Sequence, residues 1–332
     1  MIATLCSGNL GHNLTYLAHI DTVPPGDLSG WRVEPFGGSE YDGRVYGRGA
    51  GDDKSSVTAQ IMALICLARS GVQLEWALQV AVVSGEESNG LASTRWLRES
   101  GKLSPNFLLV GEQTYNRVAV GERVACGIDL TVWGKSAHGA MPLEGDNAIV
   151  KMAGMIRWLE EKLPRAWADK EHPYLPPPTL NIGKISGGEQ WNIVPRKCKI
   201  EMDRQLLPGE TRAEAMNEIE EALDEYHQVV EEINYELFTT GDVASNINTS
   251  PDDPFVKRAH QALINLTGEH RSLTGYLQTC DGRWFADDGI PIIIFGSSNP
   301  NVAHSPDENV EIDQLIEATR FLALLAIRPV GI

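Results

Sequence analysis

Four short apolar runs, separated by polar and glycine-containing stretches, constrain the fold of this 332-residue chain most. Each run is long enough for a buried strand and too short to cross a bilayer. Apolar residues at helical spacing over 55–69 follow the first run and stop at Ser70 and Gly71. Alternating strands and helices predict an α/β fold with a mostly parallel, doubly wound sheet. The four runs are residues 14–20, 76–83, 107–110 and 291–295.

The middle of the chain has a different pattern, which predicts a separate, inserted domain. Its strand-like and helical segments follow one another in a β-α-β-β-α order, typical of a small α+β, ferredoxin-like domain. We therefore expect a larger domain built from residues 1–118 and 243–332, interrupted by an insertion at 119–242. The segments are 128–133, 148–163, 180–185, 197–202 and 212–230.

Side chains that can bind metal lie at or after the ends of all four strand-like runs. The functional crevice of an open α/β sheet lies outside the carboxyl ends of its strands, so we expect these side chains to converge there. A single histidine or glutamate pair after a strand would more often be structural, whereas four strand ends together favour a common site. The residues are His19 and Asp21, Glu86 and Glu87, Glu112, and His304.

Histidines and carboxylates without cysteine suit a two-metal hydrolytic centre, in which one carboxylate bridges the ions. The candidate bridge is Asp52, which lies in a glycine-rich stretch just before the first helix. Considered alone, that stretch would indicate an ordinary glycine turn with an aspartate at the helix N-terminus.

Charge and cysteine content exclude several classes of protein. Asp and Glu number 45 against 28 Lys and Arg, a net charge of −17. Neither nucleic acid nor an anionic membrane is therefore expected as a partner. The five cysteines contain no CxxC pair, so we expect no disulfide framework and a reducing, cytoplasmic location. No signal segment is recognisable, and export is not expected.

Several motifs occur in one fixed order: HIDTVP, W…PF, DGRVYGRGAGDDK, SGEESNG, GEQT, GKSAHGAMP, NIVP and AHSPDE. Together they resemble the metallopeptidase family of acetylornithine deacetylase, succinyl-diaminopimelate desuccinylase, aminoacylase and glutamate carboxypeptidase. The resemblance runs from about residue 10 to the end, so the segment before HIDTVP is shorter than in relatives. It implies that the larger domain is a zinc-binding catalytic domain and that the insertion is a lid and dimerisation domain.

The resemblance implies two Zn²⁺ per subunit, with Co²⁺ able to substitute. Asp52 would bind both ions, and a cis peptide bond would follow it. The ligands of one ion would be His19, Asp52 and Glu112, and those of the other Asp52, Glu87 and His304.

Three further residues receive roles from the same resemblance. Asp21 would fix the orientation of the His19 ring. Glu86 would take a proton from the attacking water and pass it to the leaving amine. His138, in the insertion, would stabilise the oxyanion in the partner subunit's active site, which implies a homodimer.

Substrate contacts are implied at Asn192, Gly275 and Arg283. Many relatives carry an arginine for the substrate carboxylate two residues after the aspartate that corresponds to Asp203, which directly follows the strand at 197–202. Here that position is Gln205, with Arg204 beside it. Neighbouring strand residues face opposite sides, so the sequence leaves open which of the two serves the carboxylate.

These features lead to a functional hypothesis. We expect a deacylase that removes an acetyl or succinyl group from a small N-acyl amino acid, as the amino-acid biosynthetic enzymes of this family do. A carboxypeptidase or dipeptidase on the same scaffold is the alternative within enzymes. A non-catalytic, metal-binding relative is the alternative outside them.

Overall fold

The chain divides into two compact units, Met1–Glu122 with Ile247–Ile332 and Arg123–Asn246. The structure, a computed structural model, describes residues 1–6, 11–230, 233–241 and 244–328. Over these ranges, none of the helices has both the length and the apolar character that a membrane span needs.

The strands are β1 (Ile2–Leu5), β2 (Asn13–His19), β3 (Ser39–Tyr41), β4 (Arg44–Tyr46), β5 (Ala77–Val83), β6 (Phe107–Val110), β7 (Ala119–Glu122), β8 (Val124–Trp133), β9 (Thr179–Gly187), β10 (Lys197–Leu206), β11 (Asn234–Thr240), β12 (Thr274–Tyr276), β13 (Ile292–Ile294) and β14 (Asn309–Glu311). The α-helices are α1 (Lys54–Ser70), α2 (Trp96–Glu99), α3 (Ala148–Ala166), α4 (Arg212–Val229), α5 (Pro254–Thr267) and α6 (Ile312–Ala326).

The larger unit is built on a seven-stranded sheet with the order β1-β5-β2-β6-β13-β7-β12. Strands β5, β2, β6 and β13 are parallel neighbours, whereas β1 is antiparallel to β5 and β7 to β13. Nearly every residue of β2, β5 and β6 is buried, the pattern of parallel strands in α/β proteins. The predicted mostly parallel α/β sheet is confirmed.

Helix α1 lies between β4 and β5 in the chain, where the sequence predicts a helix. The helix ends because Gly71 adopts a left-handed conformation, with φ 66°, which a residue without Cβ accommodates easily. Its start at Lys54 directly follows the glycine-rich stretch that holds Asp52. The end of β2 and the start of α1 therefore each contribute one predicted metal ligand.

The smaller unit is an antiparallel sheet with the order β11-β8-β10-β9. Alternate residues of β10 are buried, and α3 and α4 share an apolar core with them. A capping box between Thr211 and Glu214 begins α4. The predicted α+β insertion is confirmed as a separate antiparallel unit.

The boundaries of the smaller unit differ from the predicted ones. The chain enters it at Arg123 and leaves it at Asn246, rather than at 119 and 242. Strand β7 belongs to the larger sheet, where it pairs with β12 and β13. Only Arg123 separates β7 from β8, so no turn in the sequence marks the transition.

Glu122, the last residue of β7, is a fully buried carboxyl group. Its Oε2 accepts a hydrogen bond of 2.8 Å from the Cys280 backbone N–H. Burial raises the pKa of Glu122 from 4.5 to about 7, and that hydrogen bond only partly offsets the effect. The folded protein therefore binds this proton more tightly than the unfolded chain does.

This difference predicts how stability depends on pH. Between about pH 4.5 and 7 the folded state keeps a proton that the unfolded state has lost, so Glu122 lowers stability as pH rises. Glu122→Gln removes this effect. Relative to wild type, the variant should gain about 1–3 kcal/mol across that range. Urea denaturation of both proteins at several pH values measures the difference. The same dependence of the free energy of unfolding on pH in both proteins would contradict the prediction.

Candidate metal centre

The five predicted ligands come together at one edge of the larger sheet. His19 is the last residue of β2, and Asp52 precedes α1. Glu87 lies in a helical turn after β5, Glu112 follows β6, and His304 lies between β13 and β14. Four of the five follow the carboxyl ends of parallel strands, which explains why residues distant in sequence meet here.

The ligand atoms form two groups that share Asp52, and the atoms of each group lie within 4.8 Å of one another. His19 Nε2 is 3.0 Å from Asp52 Oδ1 and 3.9 Å from Glu112 Oε1. His304 Nε2 is 3.2 Å from Asp52 Oδ2 and 3.1 Å from Glu87 Oε2. The two oxygens of Asp52 thus face different histidines, as a bridging carboxylate requires. The two groups have the composition that the family resemblance implies.

The electrostatics of these groups fit bound cations. Burial lowers the pKa of His19, but the hydrogen bond with Asp52 and nearby carboxylates outweigh it and raise that pKa to about 12. Hydrogen bonds with Asp52 and Glu87 raise the pKa of His304 to about 10. Burial raises the pKa of Glu112 well above its ordinary value. The buried centre therefore contains more carboxylate side chains than cationic ones. Imidazole and carboxylate donors suit divalent ions.

A buried carboxylate outside both groups fixes the backbone of the Asp52 turn. Glu308 Oε1 accepts hydrogen bonds of 2.9 Å from the N–H groups of Gly51 and Asp52. Its Oε2 pairs with Arg48, and both side chains are almost fully buried. The Asp52–Asp53 peptide bond is cis, as the resemblance implies. Sequence reasoning did not single out Glu308, although it ends the AHSPDE motif.

Asp21 lies beside His19, where the resemblance places it. The Nδ1 atom of His19 is 3.1 Å from the Asp21 carbonyl oxygen and 3.5 Å from Asp21 Oδ1. Asp21 Oδ2 accepts a hydrogen bond of 3.2 Å from the Glu87 N–H. One residue therefore contacts both the ring of His19 and the turn that carries Glu87.

Glu86 belongs to neither ligand group but lies in the same turn as Glu87. Gly85 and Gly90, on either side of the turn, adopt left-handed conformations, with φ 98° and 63°. Burial, together with the charge of Asp281, raises the pKa of Glu86 to about 8. A carboxyl group with a pKa this close to neutrality is suited to accepting and returning protons.

Arg283, for which the sequence implies a substrate contact, lies close to Glu86 and is almost fully buried, and its role in substrate contact stays a prediction. Its side chain is only 6% exposed, and its guanidinium donates a 3.0 Å hydrogen bond to the Asn89 carbonyl oxygen. The Nη1 atom lies 3.8 Å from Glu86 Oε1. Arg283 therefore supports the turn that carries Glu86.

Arg204 is not available to a substrate, so the prediction that it contacts the substrate carboxylate is wrong. Its side chain is fully buried, stacks on the ring of Trp167 at 4.1 Å, and donates to Glu210 and Glu218 at 2.8 and 3.1 Å. Even-numbered residues of β10 face the helices of the smaller unit. Alternation along the strand therefore directs Arg204 into the core.

Gln205 faces the other side of β10. Its Nε2 lies 2.9 and 2.8 Å from the two carboxylate oxygens of Asp203. At the position where many relatives carry arginine, the chain thus has an amide bonded to a carboxylate.

The two predicted residues of the insertion lie on adjacent segments of the smaller unit. His138 forms an antiparallel bridge with Ile193, and Gly139 N–H donates to the Asn192 carbonyl oxygen at 2.7 Å. His138 Nδ1 accepts from Ala140 N–H at 3.1 Å, and the residue is exposed. Gly275 lies in β12 of the larger unit. Roles in substrate contact stay predictions for Asn192 and Gly275.

An α/β sheet with two histidine–carboxylate groups sharing one aspartate defines a protein with a candidate dinuclear metal centre. Residues 15–328 match peptidase family M20/M25/M40, and the chain belongs to this family. It is a metal-dependent hydrolase, so the predictions of the family and of an enzyme are confirmed.

Curated relatives and a solved structure match along nearly the whole chain. The chain is 29% identical to uncharacterized protein YgeY of Escherichia coli (strain K12), with 96% of this chain and 82% of that protein covered. It is 28% identical to succinyl-diaminopimelate desuccinylase of Rhodospirillum centenum, with 94% and 80% covered. The M20 family metallo-carboxypeptidase Sso-CP2 of Sulfolobus solfataricus superimposes with a TM-score of 0.78 at 19% identity, covering 98% and 86%. This last likeness shows the fold.

The shared aspartate predicts the metal content of ligand variants. Wild type should retain two ions per chain, Glu87→Gln and Glu112→Gln about one each, and Asp52→Asn close to none, because only Asp52 belongs to both groups. Elemental analysis after dialysis with Zn²⁺ measures this. Glu99→Gln, at an exposed carboxylate paired with Arg95, is the control. Full metal retention by Asp52→Asn would contradict the shared-ligand assignment.

Proposed function

We propose that this chain is a two-zinc amidohydrolase that removes an acetyl or succinyl group from a small N-acyl amino acid. The observation that carries the proposal is the shared Asp52 between two ligand groups, with the non-ligand carboxyl of Glu86 beside them. The relative from Rhodospirillum centenum supports the deacylase class. Glu112 supports it too, because the resemblance places glutamate there in deacylases and carboxypeptidases and aspartate in aminopeptidases.

The two ligand groups contain the residues that would hold the ions. His19, Asp52 and Glu112 would bind one Zn²⁺, and Asp52, Glu87 and His304 the other. Bound zinc supplies Lewis acidity to the scissile carbonyl and lowers the pKa of water. Asp21 keeps the His19 ring oriented through contacts to Nδ1.

Proton transfer falls to Glu86. Its carboxylate accepts a proton from the attacking water and returns it to the leaving amine nitrogen. Arg283, bonded to the Asn89 carbonyl oxygen, and Asp21, bonded to the Glu87 N–H, keep the turn in place during proton transfer. The second proton of the water also passes to the amine, so the reaction ends with a carboxylate, an ammonium group and an ionised Glu86.

The smaller unit would supply the oxyanion donor and the contact between subunits. His138 and Asn192 lie on adjacent segments, and Trp191, beside Asn192, is 97% exposed. Large exposed apolar side chains on one unit are typical of interaction surfaces. Strand β9 is an edge of its sheet and mostly exposed, so it can pair across a two-fold axis. We propose a homodimer in which His138 stabilises the oxyanion in the partner subunit's site.

A substrate panel tests the reaction. N-acetyl amino acids, N-succinyl amino acids and dipeptides are compared with the Zn²⁺- or Co²⁺-loaded protein, and we expect the highest kcat/KM with an N-acyl amino acid. Glu86→Gln should keep its metal and lose about 10²–10⁴-fold in kcat, because the proton acceptor is gone. Preferred cleavage of dipeptides would favour the peptidase alternative. No hydrolysis by the loaded wild type would contradict the proposed class.

Complementation tests the partner role of His138. Glu86→Gln and His138→Ala should each be inactive alone, yet mixing them should restore activity, because one site of each mixed dimer keeps both groups. Free exchange of equal amounts gives about a quarter of wild-type activity at most, since half of the dimers are mixed and one site in each is intact. Native mass spectrometry verifies exchange. Mixed dimers without activity would contradict the partner role.

A further inference from the structure

Tyr276, at the end of the edge strand β12, contacts the metal centre from outside both ligand groups. Its side chain is buried, with 4% exposure, and its hydroxyl lies 2.9 Å from Glu112 Oε2. The same hydroxyl is 3.5 Å from Gln113 Oε1. Pairing of β12 with β7 at Tyr276 and Glu122 fixes the backbone from which the ring extends.

The direction of this hydrogen bond follows from the groups around it. Gln113 Nε2 donates to the Gly51 carbonyl oxygen at 3.2 Å, so the amide oxygen of Gln113 is the atom that faces Tyr276. Both neighbours of the hydroxyl are therefore acceptors, and the phenol provides the proton. Because the distance to Glu112 is the shorter, the phenol donates its hydrogen bond to Glu112.

The contact distinguishes the two oxygens of Glu112. Oε2 is occupied by the phenol, whereas Oε1 is the oxygen that lies 3.9 Å from His19 Nε2. Glu112 is only 3% exposed, so bulk water does not easily replace the phenol. Without the hydroxyl, Oε2 would be a buried acceptor that has lost its donor. The carboxylate could then rotate and offer either one or both of its oxygens to an ion.

We propose that Tyr276 is a positioning residue that holds Glu112 as a one-oxygen ligand of the group formed with His19 and Asp52. The inference rests on the ligand assignment of the proposed function. Hydrogen bonds to the non-coordinating side of a ligand typically change metal affinity about 10–100-fold. Tyr276 therefore sets the affinity of one of the two ion positions.

The effect should be confined to that position. The other group consists of Asp52, Glu87 and His304. Glu87 Oε1 accepts from the Val23 N–H at 3.2 Å, and His304 contacts the carboxylates of Asp52 and Glu87. None of these contacts involves Tyr276, so loss of its hydroxyl should not directly change the ligands of the second ion.

The chain offers a matched control for the loss of a buried phenol. Tyr16, in β2, is fully buried, and its hydroxyl donates to the Leu322 carbonyl oxygen at 2.6 Å, away from both ligand groups. Tyr16→Phe and Tyr276→Phe each remove one buried hydroxyl and keep the ring. They should lower stability comparably, but only Tyr276→Phe should change metal binding.

Stepwise Zn²⁺ affinities, measured by competition with a chromophoric chelator, test the inference. In Tyr276→Phe one Kd should weaken about 10–100-fold and the other stay within about twofold of wild type, with both unchanged in Tyr16→Phe. The visible absorption of one bound Co²⁺ should also change in Tyr276→Phe alone, which reports ligand geometry independently of folding stability.

Three results would overturn the inference: two unchanged affinities in Tyr276→Phe, equal weakening of both, or the same weakening in Tyr16→Phe. Failure of the proposed function is recognised separately. A wild type that binds two ions but hydrolyses no substrate of the panel would reject the deacylase and leave the role of Tyr276 intact. A wild type that binds no ion at these ligands would reject both.

Discussion

Asp52 has to present one oxygen to His19 and the other to His304, and the larger unit is arranged around that requirement. A side chain can meet it only if its backbone is held, because a small rotation would withdraw one of the two oxygens. Glu308 provides this restraint by accepting the N–H groups of Gly51 and Asp52 while Arg48 neutralises it. A carboxylate buried this completely is tolerable because its partners are charged or directed donors.

The same requirement concentrates negative charge in a place with little water. Removing an ionised carboxylate from water costs several kcal/mol, and each such group needs a partner. The histidines provide part of the compensation, which is why the pKa values of His19 and His304 are raised. Arg283, whose Nη1 lies 3.8 Å from Glu86 Oε1, partly compensates the charge of that carboxylate in the same way. Through its hydrogen bond to the Asn89 carbonyl oxygen, Arg283 also supports the turn that carries Glu86.

Sequence patterns predicted those features that depend on local order. Apolar runs identified β2, β5, β6 and β13, and the polar residues after them gave candidate ligands, because chain direction alone brings parallel strand ends together. The choice of Glu87 over Glu86 came from the family resemblance. Three-residue strands such as β12 carry no periodicity, so Tyr276 was missed. Glu308 was missed because it supports a turn more than 250 residues earlier.

Arg204 shows where local reasoning fails in the smaller unit. The sequence could say that Arg204 and Gln205 face opposite sides of β10, but not which side is covered by helices. Trp167 and Glu218, from distant segments, settle this by stacking on and pairing with the guanidinium. Burial of the arginine leaves the open face to Gln205, whose amide is already bonded to Asp203.

The two ligand groups differ in access to solvent, and this asymmetry fits a hydrolytic centre. His19, Asp52 and Glu112 are all buried, whereas the His304 side chain is 50% exposed. A buried ligand set, with one glutamate oxygen fixed by a phenol, favours tight and unchanging coordination. An open set leaves a position that water or a substrate carbonyl can occupy, which is what separates catalytic from structural metal sites. Asp52 belongs to both sets, and the restraint on its backbone by Glu308 keeps one of its oxygens near the buried His19 and the other near the more exposed His304.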